Sequence, residues 1–264
     1  MEEKKQINSH IQLPFSVLRG FSTKEKVCNE NNMPEMHDVI YAMDFDGVIV
    51  KKDIKEVNTK RGYYSAQSEA WLSEIETNFG DIKQKIRKLH QEGIQAKVTL
   101  SNKDVAAVVS YCTMCLIRSE ELHNRFRKKY RVCDIQDLVI EFYRDDRQEV
   151  DKWIYCNHIT FIYLPQKDAA LLLPQCGFAK FVYNNGVLVW VPVANDLAIV
   201  LTDRETITAD GVFHIGHIEN EQVDIINMQM IDAENACSKK AVYAKREKDL
   251  LRYREYMMSR KREA

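Results

Sequence analysis

The sequence is poor in residues that interrupt regular structure. Nine glycines and five prolines in 264 residues exclude collagen-like, low-complexity and loop-dominated architectures. Neither sign of charge is in excess, with 39 acidic and 38 basic side chains and a formal net charge of −1. No uninterrupted apolar run approaches the ~18 residues of a membrane-spanning helix, and the run at 186–191 is only strand-length. The charged start, Met1 to Lys5, leads into no apolar segment, so no secretory leader is expected. Seven scattered cysteines are too sparse for a disulfide framework, and free thiols in the cytoplasm or nucleus are expected.

What is present is enough to build a core. Hydrophobic residues make up 45% and charged residues 29%, so a packed protein of one large domain or two modest ones is expected rather than a disordered chain. The charges are unevenly placed. Residues 239–264 hold ten Lys/Arg against four Asp/Glu, a balance of +6, which leaves −7 on the remainder. A basic tail is attached to a mildly acidic body.

Residues 1–37 are polar and without sustained periodicity, and are expected to form a loosely docked arm. Residues 38–43 (DVIYAM) form an apolar run that ends in charged, glycine-containing sequence, the pattern of a buried strand feeding a loop. Ile82, Ile86 and Leu89 have helical spacing with Gly93 at the capping position. Residues 94–100 return to strand, and 104–117 predict a helix capped by Ser101 or Asn102. Residues 138–143 (LVIEFY) and 159–164 (ITFIYL) predict further strands. The alternation suggests βαβ units and a parallel sheet over 38–165. From 166 to 232 closely spaced strand candidates at 178–183, 187–193, 197–201 and 211–218, with Asn184-Asn185-Gly186 as a hairpin signal, predict a β-rich extension. Residues 233–264 lack Gly and Pro and predict one long basic amphipathic helix.

In a doubly wound sheet, ligands bind beyond the carboxyl ends of the strands. Three predicted strands end in polar clusters: Asp44-Phe45-Asp46-Gly47, Ser101-Asn102-Lys103, and Arg144-Asp145-Asp146-Arg147. Carboxylates at i and i+2 can supply a nucleophile and an acid/base, and a second acidic pair can complete an oxygen-rich Mg²⁺ site. The same residues are equally compatible with a solvated turn and a helix-terminal charge cluster.

The order of these features resembles the haloacid dehalogenase-like (HAD) phosphatase superfamily. Asp44-Phe45-Asp46-Gly47 is similar to its first motif, with Val48 in place of the usual Thr, and Ser101 is similar to the second. Residues 138–153 are similar to the fourth motif, most closely that of the phosphatase domain of phage polynucleotide kinases. The resemblance covers about 38–165. It implies a HAD-like doubly wound parallel α/β sheet and a Mg²⁺-dependent phosphohydrolase acting on nucleotide or nucleic-acid-end phosphates. Asp44 would be the nucleophile and Asp46 the acid/base. Ser101 with Lys128 or Lys129 would orient the phosphoryl group, with Asn102, Lys103 and Arg147 beside the substrate. Asp44, Asp46, Asp145 and Asp146 would hold the metal.

His158-Ile159-Thr160 and His214-Ile215-Gly216 suggest a two-histidine phosphoesterase pair, but Gly216 lacks the required hydroxyl. Cys112 and Cys115 are spaced for zinc but sit in an apolar helix, where buried free thiols are the usual outcome. Lys245, Arg246, Arg252 and Arg254 with their tyrosines suit either a helix packed on the body or contact with RNA or DNA phosphates. A catalytically inactive HAD-like protein that binds RNA, or assembles with itself or another protein, is therefore the alternative expectation.

Overall fold

A computed structural model describes residues 8–10, 12–28, 33–91, 97–131, 136–145, 158–164, 169–183, 186–202, 212–237 and 241–262. The chain is mixed α/β. Its larger sheet has six strands in the order β6 (Lys97–Thr99), β12 (Val212–His217), β7 (His158–Tyr163), β11 (Leu197–Thr202), β10 (Gly186–Ala194) and β9 (Ala179–Tyr183). A smaller sheet orders β2 (Thr23–Cys28), β3 (Pro34–Met43), β13 (Val242–Ala244) and β8 (Leu173–Pro174), with β4 (Ile49–Asp53) also on β3. A two-stranded ribbon joins β1 (Asn8–His10) to β5 (Thr59–Arg61).

The expected parallel sheet is corrected. Among the described strands only β12 and β7 run parallel, and every other pair is antiparallel. The connections decide this. Two residues join β9 to β10 and two join β10 to β11, and links that short can only return the chain beside itself, whereas a parallel neighbour requires a crossover. The strands expected as an extension at 166–232 pair directly with β6 and β7 from the preceding region, in one sheet.

Helix α2 (Ala66–Gln91) and helix α3 (Asn102–Ile117) pack on each other and share one hydrophobic core with the larger sheet. On α2, Leu72, Ile75, Phe79, Ile82 and Ile86 recur at intervals of three and four and are buried, the apolar stripe that makes a helix amphipathic. The Phe79 ring stacks on Tyr111 of α3 with centroids 3.7 Å apart. Cys112 and Cys115 are free, buried thiols in α3. Burial raises both, Cys115 to about 12, so they belong to the core as inert apolar groups.

Three further expectations change. Residues 138–143 belong to helix α5 (Gln136–Asp145), not to a strand. Val139 and Ile140 face inward while Leu138 and Phe142 are exposed, a helical period that a short apolar run conceals. The stretch 233–264 is not one helix. Helix α6 (Asn220–Cys237) is followed by β13, then α7 (Glu247–Leu251) and α8 (Arg254–Arg262). Val242, Tyr243 and Ala244 are fully or almost fully buried between β3 and β8, and that pairing overrides helix propensity. Finally, the N-terminal region is docked rather than loose. Helix α1 (Phe15–Gly20) buries Val17 and Leu18, flanked by buried Leu13 and Phe21. A Cβ on Gly20 would stand 2.4 Å from the Val193 carbonyl oxygen, so only glycine allows this approach to β10.

The smaller sheet uses both faces. Ile40, Ala42, Leu173 and Tyr243 join the main core, while Met43, Val242 and Ala244 join a second cluster with Ile231, Leu250, Tyr253 and Met257. The alternation follows the two-residue period of a strand. Fully buried Asn227 of α6 ties these parts together. Its Oδ1 accepts the Leu172 N–H (2.8 Å), and its Nδ2 donates to the Ala170 carbonyl (2.9 Å) and the Tyr253 hydroxyl (3.1 Å). Asn227→Ala leaves these groups unpaired away from water and is expected to lower stability by about 2–4 kcal/mol. Urea unfolding checks this, and a change below ~0.5 kcal/mol, the level of an ordinary surface substitution, contradicts it.

Candidate functional site

Asp44, Asp46 and Gly47 form the turn of the β3–β4 hairpin. The Asp44 N–H donates to the Val48 carbonyl (3.2 Å) and the Gly47 N–H to the Asp44 carbonyl (3.0 Å). Asp44 Oδ1 accepts the N–H groups of Asp46 (3.0 Å) and Val48 (2.9 Å), so this carboxylate oxygen closes the loop as a short polar side chain does in an Asx-turn. Gly47 has φ of +75°. A Cβ there would lie 2.8 Å from Met258 Sδ and 3.1 Å from Arg254 Nε, so α8 packs directly over the turn. Asp46 is exposed.

Ser101 is occupied as the cap of α3. Its Oγ accepts the Asp104 N–H (3.2 Å), and Asp104 Oδ2 lies 3.4 Å from the Ser101 N–H, a capping box. Asn102 and Lys103 are exposed in the first turn, and Lys103 lines a cleft between α2 and α3 with Trp71 and Asp81. Lys128 and Lys129 are exposed in the last turn of α4 (Glu120–Tyr130). Asp145 is the final residue of α5, and Asp146 and Arg147 lie outside the described residues.

The expected phosphotransfer residues therefore divide between two sheets. Asp44 and Asp46 follow a strand of the smaller sheet, while Ser101, Asn102 and Lys103 follow an edge strand of the larger one. None of the four cavities along α1–α4 and α6–α7 is lined by both sets. Of the carboxylates expected to hold Mg²⁺, Asp44 and Asp46 share the β3–β4 turn, and Asp146 lies outside the described residues. Asp44 is turned into its own loop, and the described residues contain no group of three or more His, Cys, Asp or Glu placed for a metal.

The basic C-terminal residues are largely engaged by the body. Arg246 forks onto Asp249 through Nε and Nη2, at 2.7–3.1 Å. Arg252 pairs with Asp224 of α6, and Arg260 Nε with Asp232 (2.8 Å). Arg254 lies against Gly47, and Lys245 is half-buried. His158 and His214 do meet, with ring centroids 4.7 Å apart on the parallel strands β7 and β12. Gly216 carries no hydroxyl, and a Cβ there would stand 2.8 Å from Ile162 Cδ1, so a larger residue would require that side chain to shift.

A polar corner that sequence reasoning missed lies where α3 turns into α4. Arg118 is 3% exposed. Its Nη2 is 3.3 Å from Glu76 Oε1 on α2, and Glu76 Oε2 accepts the Ser16 N–H (3.1 Å). The guanidinium carbon is 5.9 Å from the Tyr64 ring centroid. Arg118 lines two cavities. One, about 480 Å³, lies between α1 and α2 and includes Lys83, whose amine burial lowers to about 8. The other, about 190 Å³, opens toward β5 and α4. The sole sequence signal was an arginine closing an apolar helix; its partners are far away along the chain.

Comparison with protein-family models, with curated proteins and with solved structures returns no match, so function is argued from the chain's own geometry. No described helix is long and apolar enough to cross a membrane.

Two outcomes follow from the local roles. Asp44→Asn preserves the Oδ1 acceptor and is expected to leave thermal stability nearly unchanged, while Asp44→Ala loses both turn bonds and about 1–2 kcal/mol; equal effects would contradict the turn role. Lys85 Nζ donates to Asp104 (2.7 Å) and holds that carboxyl below its ordinary range against burial, with help from Ser101. The stabilisation is fully present above the unfolded value near ~3.9 and is lost as pH falls through the lowered folded value. The stability difference between wild type and Lys85→Ala should therefore be full at pH 7 and shrink below about pH 4. A pH-independent difference in urea unfolding would refute it.

Proposed function

We propose that this is a binding protein without catalytic turnover, which engages the phosphates of single-stranded nucleic acid through the C-terminal half of α4. The observation that carries this is Arg125-Phe126-Arg127-Lys128-Lys129-Tyr130-Arg131, five cations in seven residues with no carboxylate among them. Arg125, Lys128, Lys129 and Arg131 are exposed, and neither lysine pairs with a carboxylate among the described residues. Tyr130 and Phe142 of α5 are each 42% exposed beside them. Phe126 joins them in an aromatic cluster, with ring centroids 5.4 Å from Tyr130 and 5.6 Å from Phe142. A cationic surface that releases counterions, next to rings on which bases can stack, is the physical requirement for binding single strands without sequence preference. The helix C-terminus accounts for part of this charge through its dipole, but not for the exposed rings. The basic tail is a weaker candidate because Arg246, Arg252 and Arg260 already face carboxylates.

The experiment is fluorescence anisotropy of a labelled single-stranded oligonucleotide across a salt series. Lys128→Glu/Lys129→Glu is expected to weaken binding at least roughly tenfold and to flatten the salt dependence by about one to two ions. Arg246→Ala/Arg252→Ala should change it little. Absence of binding, or an unchanged salt slope in the lysine variant, would reject the α4 surface. The Mg²⁺-dependent phosphohydrolase is the competing proposal, supported by the order of motifs around Asp44. Phosphate release that requires both Mg²⁺ and Asp44, and is abolished in Asp44→Asn, would put it in place of the binding function.

A further inference from the structure

The larger of the two cavities at Arg118 lies between α1 and α2. At about 480 Å³ it falls within the ~300–1,000 Å³ of pockets that enclose small organic ligands. Gly80 and Lys83, one turn apart on one face of α2, line it together with Ser16 and Arg19 of α1. A Cβ on Gly80 would meet no atom within 4 Å. Glycine is the least favourable residue after proline inside a helix, and no close contact requires it here as one does at Gly20. Its effect is to leave open space beside Lys83.

The Lys83 amine is loosely held. Among the described residues its one hydrogen bond is to the Ser16 carbonyl (3.5 Å), and it forms no ion pair. The charged groups around it are engaged elsewhere, Arg87 with Asp196 (2.6 Å) and Glu76 with Arg118 (3.3 Å). Burial, and then the Arg87 guanidinium four residues on, bring the amine down to about 8. About a quarter of it is then uncharged near pH 7.5, against roughly one part in a thousand for an ordinary lysine. Desolvation beside another cation is what activates a lysine toward carbonyl groups. Arg19, one turn beyond Ser16, is exposed, lies 5.1 Å from the Phe15 ring centroid and has no carboxylate partner among the described residues. Glu69, the other carboxylate lining the cavity, is about four turns from Lys83 along α2.

We propose that this cavity takes a small 2-oxo acid, whose carbonyl condenses with Lys83 to an imine while its carboxylate faces Arg19. The Nζ lone pair adds to the carbonyl carbon, and one Nζ proton passes to the carbonyl oxygen. The hydroxyl so formed leaves as water with the second Nζ proton, and the C=N double bond closes. Nothing is oxidised or reduced, and addition of water reverses the step, so the site captures its ligand reversibly. It stands on its own geometry and does not require the α4 surface to bind nucleic acid.

The test incubates the full-length protein with glyoxylate, reduces any imine to a stable amine with cyanoborohydride, and locates the modified lysines by peptide mass spectrometry. At pH 7.5 Lys83 is expected to be labelled at least roughly tenfold faster than exposed Lys128 and Lys129, because its larger uncharged fraction outweighs its lower basicity. Gly80→Leu fills the open space with a stronger helix former. It should keep the unfolding midpoint at or above that of the wild type and slow Lys83 labelling at least roughly tenfold. Arg19→Ala should slow labelling by glyoxylate at least about threefold more than labelling by uncharged propanal. Labelling of Lys83 no faster than that of the exposed lysines, or unchanged by Gly80→Leu in the folded protein, overturns the site. Equal effects of Arg19→Ala on the two probes overturn the assignment to a carboxylate-bearing ligand.

Discussion

A guanidinium sealed from water has to be answered by the groups around it, and the arrangement around Arg118 follows from that constraint. Its carboxylate partner, Glu76, sits midway along α2 and also accepts the Ser16 N–H from the start of α1. Tyr64, 5% exposed, places its ring near the guanidinium. One buried ion pair thereby sets the positions of the N-terminal helix, the longest helix and the α3–α4 corner. Removing either partner of such a pair is far more damaging than replacing both, because the survivor is left charged in a poor dielectric.

The second organising feature is the small sheet, which has no solvent face at its centre. Its strands send alternate side chains into the main core and into the cluster under the C-terminal helices. The chain reaches this position twice, early through β3 and late through β13, so the carboxyl-terminal third closes over a strand formed near the start. This geometry explains the basic tail. Its arginines lie against Asp224 and Asp232 because the helices carrying them must pack on α6.

Asp44 illustrates how one short motif can answer two different needs. A carboxylate, one residue, a second carboxylate and a glycine satisfy the needs of a nucleophilic loop, and they satisfy those of a five-residue hairpin turn equally well. Both require a short polar acceptor, and both require a residue that tolerates positive φ. The choice depends on what stands beside the loop. Here it is α8, with Met258 and Arg254 against Gly47, while Ser101 caps a helix attached to the other sheet.

Elements governed by near neighbours in the chain were legible in the sequence. The apolar stripe through Ile82 and Ile86, the helix beginning after Ser101, the strand ending at Met43 and the hairpins after Phe178 all follow from spacing, capping and turn chemistry. The buried state of Cys112 and Cys115 followed from the apolar helix around them. Strand direction, the helical state of 138–143 and the break at Val242 were not legible, because each is decided by a partner distant along the chain. Least legible was the corner at Arg118, where residues 12, 60, 76, 118 and 127 share no spacing and no motif. Local sequence determined which segments could be helices, strands and turns; only tertiary packing decided which charges would be buried together, since the energy of a buried charge depends on neighbours that the fold alone supplies.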